Sequence, residues 1–212
     1  MKDEWLARWA RGQTGWHEAG GSAALRKFWP RLAPGSRVLV PLCGKSADLL
    51  WLAQLGCDVT GVELSEVAVR EFFSAADIPY EIETVGGLLR FRGLQHRLSV
   101  YCGDYFQFRA EPFDAVYDRA ALAALPAGLR PAYAEHTRTL MKADATHLLI
   151  TLEYDQSRAD GPPFSVLADE VTTYWPELRR VGDKSALKNM PPKYHEAGLS
   201  EFVEAVWLSG PG

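Results

Sequence analysis

The stretch Ser36-Arg37-Val38-Leu39-Val40-Pro41-Leu42-Cys43-Gly44-Lys45-Ser46, running on into Ala47-Asp48-Leu49-Leu50-Trp51-Leu52-Ala53, decides the fold class. A short apolar run ends at a Pro-Leu-Cys-Gly turn, and an apolar pattern of helical period follows, with Ser46 as the expected N-cap. Gly56 closes that helix, Asp58-Val59-Thr60-Gly61-Val62-Glu63 reads as a second strand, and Ser65 to about Ala76 returns to helix with Val67, Val69, Phe72 and Phe73. This opening is βαβα.

Outward from there the alternation continues. Glu81 to Arg97 reads as an irregular or hairpin insertion, Leu98 to Cys102 as a strand ending at Gly103-Asp104, and Phe113 to Asp118 as the next strand. A helix follows over about Pro131 to Met141, then a strand over His147 to Leu152. Such order implies an α/β fold with a mainly parallel sheet and helices on both faces. The text then changes at Tyr154-Asp155-Gln156-Ser157 and Gly161-Pro162-Pro163-Phe164, where paired prolines exclude helix and central strand. Gly198 to Leu208 reads as a closing strand, with antiparallel pairing expected.

The totals are those of one globular domain: 212 residues, 47% hydrophobic and 24% charged. A net charge of -4 offers no broad positive surface for a phosphate backbone, which disfavours nucleic acid as a partner. The first twenty-odd residues mix acids and bases without an apolar run, so neither a signal peptide nor a membrane anchor is expected, and no later run could span a bilayer. Cys43, Cys57 and Cys102 are odd in number and lack metal spacing, so free thiols, no metal and a cytoplasmic setting are expected.

In open α/β sheets ligands bind beyond the carboxyl ends of the strands. Those ends carry Leu42 to Ser46, then Glu63, then Gly103-Asp104, then Asp118-Arg119. A glycine turn at a helix start can meet a carboxylate or phosphate, and an acid about twenty residues later suits the hydroxyls of a ribose. Each has a plain alternative: Gly44 as an ordinary connection, Glu63 as a solvated acid, Arg119 as a surface ion pair with Asp118. G-x-G-x-x-G is absent, and Leu39 stands where a P-loop needs glycine. Trp5 and Trp9, at i and i+4 on an expected N-terminal helix, with Trp16-His17 beyond, either pack on the body or form a lid over ligands.

Together these residues resemble the thiopurine S-methyltransferase family. The likeness rests on W-x-x-x-W with T-G-W-H (Trp5 to His17), V-P-L-C-G-K-S-x-D (Val40 to Asp48), G-V-E-L-S (Gly61 to Ser65), Y-D-R-A-A-L (Tyr117 to Leu122) and G-P-P-F (Gly161 to Phe164). The resemblance implies a Rossmann-like class I methyltransferase, a single domain over 1–212 with a seven-stranded sheet and a covering N-terminal helix. It implies S-adenosylmethionine as donor, with Trp9, Leu42, Glu63, Gly103, Asp104 and Arg119 at the donor. Trp16, Pro163 and Lys193 would meet the acceptor; Trp16 stands where many relatives carry Phe, and Lys193 where relatives often carry Arg.

Methyl transfer from a sulfonium is an in-line displacement, and a cation beside a thiol raises its anionic fraction. Arg119, supported by Lys193, takes that part, with Asp155 either a reserve base or an organiser of its loop. Cys43 reads as a turn residue rather than a nucleophile. The expected acceptor is a thiopurine-like or other small thiol or thione, acted on by a monomer. The alternatives are methylation of a halide, selenium or tellurium species, and a regulatory protein that binds the donor without turnover.

Overall fold

The computed structural model describes residues 2–15, 17–119 and 121–209, the side chain of Asn189 excepted. The apolar runs form strands β1 (Arg37–Pro41), β2 (Asp58–Glu63), β3 (Tyr80–Val85), β4 (Leu88–Gly93), β5 (Leu98–Cys102), β6 (Phe113–Arg119), β7 (Met141–Glu153), β8 (Arg179–Ser185) and β9 (Val203–Ser209). Among the helices, α1 (Lys2–Ala10) and α2 (Ala23–Phe28) precede the sheet, while α3 (Asp48–Gln54) and α4 (Glu66–Ala75) follow the first two strands. Beyond β6 come α5 (Ala121–Ala124), α6 (Arg130–Thr139), α7 (Ala168–Tyr174) and α8 (Pro192–Glu196).

The strands make one sheet in the order β3-β4-β5-β2-β1-β6-β7-β9-β8. Its centre, β5-β2-β1-β6-β7, is parallel, as the alternation of strand and helix requires. Both flanks are antiparallel, so the sheet is a mixed one of nine strands, not the seven-stranded, mainly parallel sheet expected. The two extra strands are the β3–β4 hairpin, turned by Gly86 and Gly87, both at positive φ.

The closing strand is β9 and pairs antiparallel as expected, and the β3–β4 hairpin falls in the insertion expected over Glu81 to Arg97; the outermost strands β3 and β8 show no hydrophobic period because they bury so little. β3 and β8 are almost wholly exposed. β3 is held to β4 by the directly opposed pairs Glu81–Arg92 and Glu83–Arg90, and charge is also a usual protection for an edge strand.

Helices cover both faces. Leu25, Leu49, Val69 and Phe72 pack against one face of the sheet, and Leu122, Tyr133, Val171 and Trp175 against the other. Ser65, where the second helix was expected to begin, caps α4 through the Ala68 N–H. Ser46 does not cap α3: the N-cap is Ala47, and the Ser46 hydroxyl instead accepts the N–H of Asp48 at 3.2 Å. The turn needs one more residue than the apolar pattern reveals.

At the centre of the sheet Gly61 lies beneath the Cys43 thiol. A Cβ there would meet Cys43 Sγ at 2.8 Å and Leu49 at 3.2 Å. Gly61→Ala is expected to destabilise the fold by about 1–3 kcal/mol through overpacking, and Cys43→Ala to recover part of that loss. Urea melts of the two single variants and the double variant read the coupling; strict additivity would contradict it.

Candidate active site

The carboxyl ends of β1, β2, β5 and β6 converge on one edge of the sheet. After β1 the backbone enters the left-handed region at Leu42 (φ 47°) and Gly44 (φ 55°). That double reversal lets Cys43 N–H reach the Val62 carbonyl at 3.0 Å and turns Gly44 N–H onto Glu63 Oε2 at 2.8 Å. The other Glu63 oxygen accepts Ser65 N–H at 2.8 Å. A carboxylate offers about four acceptor positions, so both oxygens keep capacity for a ligand. Burial pushes the Glu63 acid above the usual range, opposed by these backbone donors.

Trp9 of α1 is buried over this turn; a Cβ on Gly44 would come within 3.2 Å of its indole. Trp5, Trp9, Leu42, Glu63 and Pro163 bound a largely apolar cleft of about 110 Å³. An apolar slot with one carboxylate at its wall, roofed by a large aromatic ring, suits an adenosyl group: flat surface for the base, acceptors for ribose hydroxyls. Gly103 N–H bonds the Glu63 carbonyl at 2.8 Å, which sets Gly103-Asp104 directly beside the cleft. Asp104 accepts Lys2 Nζ at 2.5 Å, tying α1 down.

The last three residues of β6 have three different partners. Tyr117 donates to Asp48 Oδ2 at 2.8 Å, and the other Asp48 oxygen accepts Ser22 N–H at 2.8 Å, joining the segment before α2 to the sheet. Asp118 points to the opposite face and accepts the Tyr133 hydroxyl at 2.6 Å and two backbone N–H groups of α5. Arg119 pairs with Glu18 at 2.6 Å. The surface pair of Arg119 with Asp118 is therefore excluded by strand alternation.

Arg119 and Glu18 also wall a second, larger cavity of about 820 Å³. Lys193 reaches it with its ammonium on the carbonyls of Asp160 (2.6 Å) and Pro162 (2.9 Å); burial and Arg8 hold its pKa below the usual lysine range. Pro163 borders both this cavity and the apolar cleft. Its carbonyl accepts the hydroxyls of Tyr154 and Tyr194, at 2.8 and 2.6 Å, which fixes the junction. A small space of about 50 Å³ walled by Trp9, Leu42, His17 and Arg119 lies between the two.

Of the residues expected from sequence, Trp9, Leu42, Glu63, Arg119, Pro163 and Lys193 come together around these spaces, with Gly103 and Asp104 adjoining. Trp16 lies outside the described residues. Asp155 is exposed, and its carboxylate accepts the Ser157 N–H and hydroxyl, so it organises its own turn. Burial raises the Cys43 thiol pKa well above its ordinary value, which suits a turn residue and not a nucleophile. All three cysteines are free thiols. Sequence reasoning missed Glu18, Lys184 and Glu204 in the large cavity; a lone acid at Glu204, between Phe202 and Val206 in an otherwise apolar strand, was the available signal.

Solved structures with this architecture include methyltransferases bound to S-adenosylhomocysteine or S-adenosyl-L-methionine. The 1,6-didemethyltoxoflavin-N1-methyltransferase of Burkholderia thailandensis, solved with 1,6-didemethyltoxoflavin and S-adenosylhomocysteine, has a TM-score of 0.65 at 15% identity, covering 99% of this chain and 87% of its own. A TehB-like methyltransferase from Corynebacterium glutamicum has a TM-score of 0.57 at 15% identity, covering 98% and 97%. The fold is that of the class I S-adenosylmethionine-dependent methyltransferases. The model of the Thiopurine S-methyltransferase (TPMT) family matches residues 1–210, and the chain belongs to that family. A thiopurine S-methyltransferase of Pseudomonas syringae pv. tomato is 43% identical (97% of this chain, 96% of the relative), and one of Azotobacter vinelandii is 46% identical (97% of each). The protein is an S-adenosylmethionine-dependent methyltransferase.

Burial pushes Asp118 up to about 6 from 3.8, the hydrogen bonds from Tyr133, Leu122 and Ala121 only partly opposing it. Between about pH 4 and 6 the folded chain keeps a proton that the unfolded chain releases, so stability falls as pH rises through that window and levels off above it. The shift is worth on the order of 3 kcal/mol. Asp118→Asn is expected to flatten this descent in urea melts from pH 4 to 7; an unchanged slope would refute the assignment.

Proposed function

We propose that the chain methylates sulfur on a thiopurine-like or other small thiol or thione acceptor. The observation that carries this reading is the junction at Pro163, where an apolar cleft containing the Glu63 carboxylate meets a large cavity walled by Arg119 and Lys193. When bound, S-adenosylmethionine supplies a methyl carbon made electrophilic by its sulfonium.

Glu63 accepts the hydrogen bonds of the ribose hydroxyls, and Trp9 covers the donor and keeps water away. The Leu42 turn receives the methionine part, while Gly103 and Asp104 flank the adenine. On the other side, the Arg119 guanidinium, oriented by Glu18, favours the anionic form of the acceptor sulfur, and Lys193 adds a second cation. Arg119 lines the small space it shares with Trp9 and Leu42 as well as the large cavity, which supports a role for it toward both reactants. Pro163, held by two tyrosines, keeps the acceptor wall rigid. Asp155 orders its loop and transfers no proton.

The chain acts as a single-domain monomer in the cytoplasm, on a small molecule rather than on nucleic acid or at a membrane. The net charge of -4 speaks against a nucleic-acid partner, and no helix among the described residues is long and apolar enough to cross a membrane.

In Glu63→Gln the amide must turn an NH₂ toward a backbone N–H, so donor affinity measured by calorimetry should fall by about tenfold or more. Arg119→Met should lower kcat/KM for a thiopurine about a hundredfold at neutral pH, with the loss shrinking as pH rises past the acceptor's own pKa. Wild-type turnover in Arg119→Met, or product methylated on nitrogen rather than sulfur, would overturn the reading.

A further inference from the structure

The floor of the large cavity is the sheet itself. Ile150 and Leu152 of β7, Phe202 and Glu204 at β9, and Lys184 and Ala186 at the end of β8 line it. Glu204 lies opposite Leu152 on one side and Lys184 on the other. Four apolar side chains thus share this floor with one carboxylate in a space large enough for a ring system. Among the described residues that carboxylate has neither a hydrogen bond nor an ion-pair partner, and Lys184 Nζ has none either.

The charges facing Glu204 come from three elements. Lys184 on β8 and Arg119 on β6 favour its anion, Glu18 before α2 opposes it, and burial, the largest influence, raises its pKa. A carboxylate without a partner, partly withdrawn from water, holds a proton more readily than one in solvent, which suits a proton acceptor. Arg119 is opposite Ile150, and Ile150 opposite Val206, so Arg119 and Glu204 are two strands and two residues apart. Strand spacing and rise put their backbones about 12 Å from each other, a span that the two side chains and one small heterocycle fill together.

We propose that Glu204 is a catalytic base and specificity determinant, selecting N-heterocyclic thiones that carry an N–H beside the C=S group. This rests on the S-methylation reading above. As the thione sulfur bonds to the methyl carbon, the bond from that carbon to the donor sulfur breaks and its electron pair stays on the donor. The N–H proton passes to Glu204, and the ring N–C–S unit becomes N=C–S–CH₃. Charge balances: a sulfonium and a carboxylate become a thioether and a carboxylic acid. Arg119 faces the sulfur while Glu204 faces the nitrogen, and the apolar floor holds the ring flat between them.

The test compares Glu204→Gln with wild type on two acceptors of similar size: 2-mercaptopyrimidine, which carries the N–H in its thione form, and thiophenol, which has none. For the thione, kcat/KM is expected to fall about a hundredfold and the acidic limb of its pH profile to disappear; for thiophenol the change should stay within about threefold. Glu204→Asp should restore part of the thione activity. The Gln variant should melt no lower than wild type, since it removes an unpaired carboxylate from a low-dielectric wall. Equal losses on both acceptors, or no loss on either, would overturn the role of Glu204 and leave S-methylation standing. A wild-type chain that methylates neither would overturn both.

Discussion

The Glu63 carboxylate is the constraint on which the site depends. It sits at the end of a central strand, buried, and its two oxygens draw in the N–H groups of Gly44 and Ser65. Those two bonds fix the turn after β1 and the start of α4 at once. The Gly103 N–H on the Glu63 carbonyl adds the end of β5. The left-handed conformations at Leu42 and Gly44 follow, because only a sharply reversed backbone brings the Gly44 N–H to that oxygen. The price of burying an acid appears as its raised pKa, and the bracket of backbone donors offsets part of it.

From that anchor the sheet divides its work. The parallel half gathers strand ends around a small apolar cleft, the usual place for a nucleotide-like ligand. The antiparallel half, where β9 and β8 run back beside β7, opens the larger cavity and furnishes it with Glu204 and Lys184. β6 lies at the boundary. Its last three residues tie down the N-terminal segment through Asp48, bury Asp118 on the far face, and present Arg119 to the cavity. One strand end therefore joins the segment before α2 to the cavity wall that carries Arg119.

Much of this was legible in the sequence. Val38 to Val40 is a continuous apolar run, and Val59 to Val62 and Leu98 to Val100 are short apolar stretches bounded by turn residues, which marks them as buried strands. Gly44 and Glu63 could be paired by spacing alone. A hairpin was one of two readings of Glu81 to Arg97, but its place in the sheet, and β8 altogether, could not be read, because exposed edges carry no burial period. The partners of Arg119 and Asp118 were also hidden: Glu18 lies about a hundred residues from Arg119 in the chain, and Tyr133 sits on a helix whose facing side depends on packing. Asp155 shows the converse limit. An acid a few residues before a paired-proline loop suggests chemistry, yet its geometry with Ser157 is that of a local turn.

The most direct test of the account is a crystal structure of the chain with S-adenosylhomocysteine and a thiol acceptor bound together. The account predicts ribose hydroxyls on Glu63, the indole of Trp9 over the ligand, its sulfur at the Pro163 junction, and the acceptor sulfur between that point and Arg119. A donor product bound away from Glu63, or an acceptor whose sulfur points away from Arg119, would contradict it.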